Sequence, residues 1–227
     1  MADNRIRLNK FLAERLGLSR READDLISKG LVLIDDKVAS LGVTVDNSSK
    51  VCYNKKVIPF EVDFSYYLFN KPVGYVCSRR AQGDAPTFYE LLPKNMSNLK
   101  TVGRLDKDSS GLILLTDDGD FAFKMTHPKF QKTKIYEVRL DRPLQPLHQQ
   151  MISDFGIQIS DGISKLELTR LDEKRKCWQV EMSEGRNRQI RRTFGALGYT
   201  VTGLHRIQFG NYTLGDLKAG EFKKIQI

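Results

Sequence analysis

The chain has 227 residues, of which 40% are hydrophobic and 29% charged, enough for a buried core and a well-solvated surface in one large domain or two unequal ones. Lys and Arg number 37 against 28 Asp and Glu, a net charge of +9 that favours polyanionic partners, because clustered cations release counterions from phosphates. The three cysteines, Cys52, Cys77 and Cys177, are widely spaced with no CxxC, which argues against a disulfide scaffold and a structural zinc site. The opening MADNRIRLNKFLAERLG has no apolar signal region, and no apolar run approaches the length of a membrane span. A cytoplasmic protein with no membrane partner is therefore expected.

Leu8, Phe11, Leu12 and Leu16 recur at helical spacing, and Gly17 ends the run. Ser19-Arg20-Arg21-Glu22 reads as a capping box opening a second helix, which runs to about Lys29 with Gly30 at the left-handed cap position. Leu31 to Val38 then reads as a short hairpin around Asp35-Asp36. Arg7, Lys10, Arg20 and Arg21 fall on or near the helix ends. In this order of elements the segment RLNKFLAERLGLSRREADDLISKGLVLIDDKVA resembles the S4 RNA-binding domain, in which two helices present basic residues to structured RNA. Val51, Tyr53, Val57 and Ile58 complete the strands of this small unit. The domain boundary is expected near residue 62, dividing 1–61 from 62–227.

The remainder reads as strands with helices between. Tyr66-Tyr67-Leu68-Phe69 is a buried strand, ended at Asn70-Lys71-Pro72 because Pro lacks a ladder donor. Gly111 to Thr116 does not alternate, which implies burial on both faces. Tyr136/Val138/Leu140, Leu166/Leu168 and Trp178/Val180/Met182 alternate as half-buried strands. Leu144, Leu147, Met151 and Phe155 fit a helix, as does Asn187 to Leu197 before Gly198. The expected class is α+β with a mixed, mostly antiparallel sheet.

Two segments carry chemistry. Gly103-Arg104-Leu105-Asp106-Lys107-Asp108-Ser109-Ser110 is a polar loop delivered into a buried strand, and a rigid strand is what fixes a reactive side chain. The same letters place Asp106, Asp108, Ser110, Gly111 and Asp117 at positions of a calcium loop. Against that reading, the flanks are strand-like, the twelfth position is Asp117 rather than Glu, and Leu114 stands where a polar ligand is needed. The second segment, Glu184-Gly185-Arg186-Asn187-Arg188-Gln189-Ile190-Arg191-Arg192, sets four arginines at a helix start, where backbone N–H groups already favour anions. Tyr136, on an inward strand position, would by itself be read as core.

Together FNKPVGYVCS (69–78), GRLDKDSSGLILLTDDGD (103–120), KIYEV (134–138), EGRNRQIRR (184–192) and HRIQFGNYTLGDLKAGEF (205–222) resemble the bacterial pseudouridine synthase family of the ribosomal small-subunit enzyme A type, which includes large-subunit enzymes of similar build. The resemblance spans essentially the whole chain and implies isomerisation of uridine to pseudouridine in ribosomal RNA. The family's catalytic aspartate falls on Asp106, its active-site tyrosine on Tyr136, and the basic residue that pairs with the aspartate on Arg191. Arg104, Arg186, Arg188 and Arg192 join Arg7, Lys10, Arg20 and Arg21 as the expected RNA-binding set. Substrate and product are isomers, so no cofactor and no metal are implied. The carboxylate either attacks C1′ or takes a sugar proton, on a uridine flipped out of its stack. The implied partner is ribosomal RNA or a ribosome assembly intermediate, met by a monomer. An RNA-binding module without chemistry is the alternative.

Overall fold

The structure, a computed structural model, describes residues 5–80 and 82–227. The chain divides into two compact units, one holding the residues up to Ser65 together with Asn98–Lys100 and Asp117–Gly119, the other holding the rest.

The first unit is built from local signals. Strand β1 (Ile6–Arg7) leads into α1 (Leu8–Arg15), whose Leu8, Phe11 and Leu12 are buried, and Gly17 follows with φ +67. Helix α2 (Arg20–Ser28) starts at a complete capping box: Glu22 N–H donates to Ser19 Oγ at 3.2 Å, and Ser19 N–H donates to Glu22 Oε2 at 2.7 Å. Strands β2 (Val32–Ile34) and β3 (Lys37–Val38) turn through Asp35 and Asp36 at φ 50 and 64, both in the left-handed region that a two-residue hairpin of this hand requires. Strand β4 (Thr44–Val45) pairs with β1, and β5 (Val51–Tyr53) joins β2 to β6 (Lys56–Val57). Phe11, Leu12, Ala23, Ile27, Val32 and Val51 form one apolar core.

The second unit is organised on one nine-stranded sheet. Its strands are β7 (Tyr66–Lys71), β8 (Lys100–Val102), β9 (Ser110–Thr116), β10 (Lys134–Leu140), β13 (Glu167–Arg170), β14 (Cys177–Met182), β15 (Val201–Phe209), β16 (Tyr212–Thr213) and β17 (Phe222–Ile225), with the hairpin β11 (Ile157–Ile159) and β12 (Gly162–Ser164) outside it. The order is β13-β14-β10-β15-β9-β7-β17, with β16 on β15 and β8 on β9. Neighbours are antiparallel except β15 and β9, which run parallel at the centre. Every residue of β9 from Gly111 to Thr116 is buried, as its non-alternating sequence implies. That strand removes the calcium-loop reading, since positions 110–116 are ladder and Leu114 is core.

Three helices complete the unit. Helix α3 (Gly119–Thr126) was not anticipated from the sequence. Helix α4 (Pro146–Gln150) continues as a π turn over Met151–Phe155, so the helix expected from Leu144 begins only at Pro146. Helix α5 (Gln189–Ala196) buries Ile190 and Phe194 against Trp178, Val180 and Tyr136.

Candidate active site

Asp106 sits on the loop between β8 and β9, in the wall of a cleft of about 1020 Å³ that Arg104, Tyr136, Lys134, Arg188 and Arg206 also line. The loop is held from several sides. Lys71, at the end of β7, is fully buried, and its Nζ donates to the carbonyl oxygens of Pro72 (3.0 Å), Asp106 (3.2 Å) and Ser109 (2.7 Å). Gly74 N–H donates to Lys107 O at 2.8 Å, and Leu105 N–H to the Cys77 sulfur at 3.4 Å. Ser109 N–H closes the turn on Asp106 O at 3.1 Å. These bonds fix the backbone and leave the Asp106 side chain 34% exposed to the cleft.

Burial pushes the Lys71 ammonium below the ordinary lysine value, while Cys77, Asp106 and Asp108 pull the other way. The same burial raises the Cys77 thiol. Lys71→Met should remove three hydrogen bonds to carbonyls, that of Ser109 buried and those of Pro72 and Asp106 partly so, destabilising the protein by about 1–3 kcal/mol and loosening the loop that carries Asp106. An unchanged urea midpoint would refute this role.

The arginine cluster divides into distinct jobs. Arg188 occupies the N-cap of α5 in the left-handed conformation, φ 46, and its Nη1 lies 3.6 Å from both Asp106 Oδ2 and Asp108 Oδ2. Arg191, expected to pair with Asp106, instead donates to the carbonyl oxygens of Val201 (2.7 Å) and Asp108 (2.8 Å), and to Ser109 Oγ at 3.4 Å. The reason is geometric: the left-handed turn at Arg188 aims that side chain at the carboxylate, while Arg191, one turn into the helix, reaches the loop's backbone. Arg186 is taken up by Asp161 O and Oδ1, Ile163 O and Glu184 Oε1, and Arg192 by Ser160 Oγ and Asp161 Oδ2. These two side chains tether the β11–β12 turn to the start of α5, which departs from the expectation of free phosphate ligands. Gln189 and Thr193, both buried, anchor the same hairpin through Ser164 Oγ at 3.0 and 2.7 Å.

Tyr136 is 8% exposed and stands opposite Arg206 across the β10–β15 ladder. Arg206 was not singled out from the sequence. It is buried, donates through Nε to Leu112 O at 2.7 Å, and lies 4.9 Å from the centre of the Phe209 ring. Its Nη2 has no hydrogen-bond partner among the described residues. A basic residue at an inward strand position, between Leu204 and Phe209, was the available signal.

Lys134 lines the same cleft, and burial, reinforced by Arg206, lowers its ammonium to about 8. The folded value lies below the unfolded one, so the unfolded chain binds more protons between them. This group therefore adds stability as pH rises from about 8 toward 10.5. The cleft loses a cation over the same rise. Lys134→Met should flatten the rise in stability between about pH 8 and 10.5; a urea midpoint with the same pH dependence in both proteins would contradict it.

In the first unit Arg7, Arg20 and Arg21 are exposed, while Lys10 is half-buried and lies 3.9 Å from Glu14. Among the described residues no three His, Cys, Asp or Glu side chains converge in a metal-binding group.

Residues 65–196 match the sequence profile of the family RNA pseudouridylate synthase, and residues 6–52 that of the S4 domain. The chain belongs to the RNA pseudouridylate synthase family. Among its relatives is a ribosomal small subunit pseudouridine synthase A of Pasteurella multocida, 35% identical over 97% of this chain and 96% of the relative. A ribosomal large subunit pseudouridine synthase B of Bacillus subtilis is 34% identical over 96% of this chain and 91% of the relative. A crystal structure of a pseudouridylate synthase superposes with a TM-score of 0.69 at 32% identity, covering 97% of this chain and 96% of that one. As a pseudouridine synthase the chain is an isomerase, and its cleft is read below in those terms.

Proposed function

We propose that this synthase converts uridine to pseudouridine in ribosomal RNA through the carboxylate of Asp106, acting on a nucleotide flipped into the cleft. The observation that carries the reading is the placement of an exposed carboxylate, on a backbone held by Lys71 and Arg191, in a cleft with Tyr136 in its wall. Ribosomal RNA is favoured because the full-length relatives named above are ribosomal small- and large-subunit enzymes.

The reaction breaks the N1–C1′ bond, turns the uracil and rejoins it through C5. The C5 proton is lost and N1 takes one up, so substrate and product are isomers with no net change of oxidation state, and the stoichiometry requires no cofactor. The Asp106 carboxylate attacks C1′ or removes a sugar proton, with Arg188 Nη1 3.6 Å from its Oδ2. Tyr136 lies against the uracil and assists proton removal at C5. Arg104 and Arg188 meet phosphates around the flipped nucleotide, while Arg7, Lys10, Arg20 and Arg21 present the S4 unit's cations to structured RNA. Arg191, Arg186 and Arg192 act one step back, holding the loop and the hairpin.

The test is a pseudouridine map of unmodified small- and large-subunit ribosomal RNA after incubation with wild type and with Asp106→Ala, without added metal or cofactor. A new pseudouridine from wild type, absent with the variant, is expected. Tight RNA binding with no pseudouridine on either RNA or on assembly intermediates would leave only the RNA-binding module.

A further inference from the structure

One rim of the cleft carries aromatic rings that the core does not use. In α3 the side chains of Phe121 and Met125, four residues apart, pack into an apolar core, and Phe123 between them faces the other way. Phe123 is 47% exposed, and Phe130, on the short 3-10 turn Pro128–Phe130, is 37% exposed. With His127 they form a cluster. Ring centres are 4.7 Å apart for Phe123–His127 and 6.0 Å for Phe123–Phe130, the latter edge-to-face. The turn is fixed by His127 Nδ1, which accepts from Lys129 N–H at 3.3 Å, and by Gln131 in the left-handed region at φ 43. His127 and Pro128 line the same cleft as Asp106, so the cluster is continuous with it.

The segment that carries these rings has charge of one sign. Residues 121–134 include Lys124, Lys129, Lys132 and Lys134 and no Asp or Glu. The Lys129 ammonium lies 5.4 Å from the Phe123 ring centre and 4.7 Å from that of Phe130. Half-exposed rings interleaved with cations fit a chain of stacked bases and phosphates.

We propose that Phe123, His127 and Phe130 form a stacking platform for an unpaired nucleobase beside the target uridine, with Lys129 and Lys132 on the adjoining phosphates. The proposal rests on the RNA-modifying reading above. Flipping the uridine leaves its neighbour with one stacking partner fewer, and a ring at the cleft rim replaces it. The stacked base displaces Lys129 from the ring faces toward the backbone, which exchanges a cation–ring contact for a phosphate contact.

The test compares wild type with the double variant Phe123→Leu/Phe130→Leu, which keeps apolar bulk and removes the ring faces, and with Phe123→Tyr/Phe130→Tyr, which restores them. Affinity for unmodified small- and large-subunit ribosomal RNA is measured alongside pseudouridine formation and the thermal midpoint. The leucine variant should bind roughly tenfold more weakly at unchanged Tm, as expected for losing about one stacked base, and the tyrosine variant should recover affinity. Leucine and wild-type proteins of equal affinity, with wild type forming pseudouridine, would overturn the platform and leave the enzyme reading intact. A tyrosine variant as weak as the leucine one would also overturn it. Wild type that neither binds nor modifies either RNA would remove the underlying reading and the platform together.

Discussion

Asp106→Asn should lower the single-turnover rate of pseudouridine formation by about 10⁴-fold or more while leaving RNA affinity within about threefold of wild type. The substitution is close to isosteric, and the backbone bonds that shape the loop, from Lys71, Arg191 and Ser109, do not involve the carboxylate. The side chain's own ion pair, with Arg188 at 3.6 Å, is partly exposed and contributes at most about 1 kcal/mol to stability. A loss of activity at unchanged stability would thus report chemistry rather than folding. An Asp106→Asn protein retaining a tenth of the wild-type rate would show that the carboxylate does not act on the sugar.

Gly111→Ala should be the most damaging single methyl in the catalytic unit. Gly111 has φ +105, where an L side chain is strained by about 1–3 kcal/mol. A Cβ there would lie 2.3 Å from Arg206 O and 2.5 Å from Arg206 N, both backbone atoms of the neighbouring strand. No rotamer relieves that contact, so β15 must move away from β9 where the two pair in parallel, His205 with Ser110 and Arg206 with Gly111. Separating central strands of a sheet costs several kcal/mol out of a total that is typically about 5–15. Poor soluble yield or a large drop in the urea midpoint is expected; a variant with wild-type stability would mean that the sheet centre is plastic.

Much of this architecture was legible because it is local. The Ser19–Glu22 box, the left-handed Gly30 and the Asp35-Asp36 turn each act within a few residues, and all three are present. The burial of β9 followed from its lack of alternation. What sequence could not supply was partnership across the fold. Lys71 reads as the polar end of a strand, and only the approach of residues 106–109 makes it a buried clamp. Arg186 and Arg192 look like free cations until Asp161, on a separate hairpin, takes them. Arg188, rather than Arg191, comes nearest the Asp106 carboxylate because the chain turns left-handed at Arg188, and nothing in an Arg-rich run announces that. Helix α3 begins at Gly119, and Asp117, Asp118 and Asp120 around that glycine suit a turn as well as a helix start.

The position of β15 has a consequence for biosynthesis. Strands β7 and β9 form one antiparallel pair early in the chain, and β10, β14 and β13 form another set. Strand β15, residues 201–209, is the piece that enters between them, pairing with β10 on one side and β9 on the other. A nascent chain that has not yet released this segment has two half-sheets with open edges, and such edges invite pairing with other chains. Arg191 finds its Val201 carbonyl only once that strand is present, so one anchor of the side chain that also holds Asp108 O is set late. Joining the two half-sheets thus falls late in synthesis, and pairings across a long sequence separation form slowly.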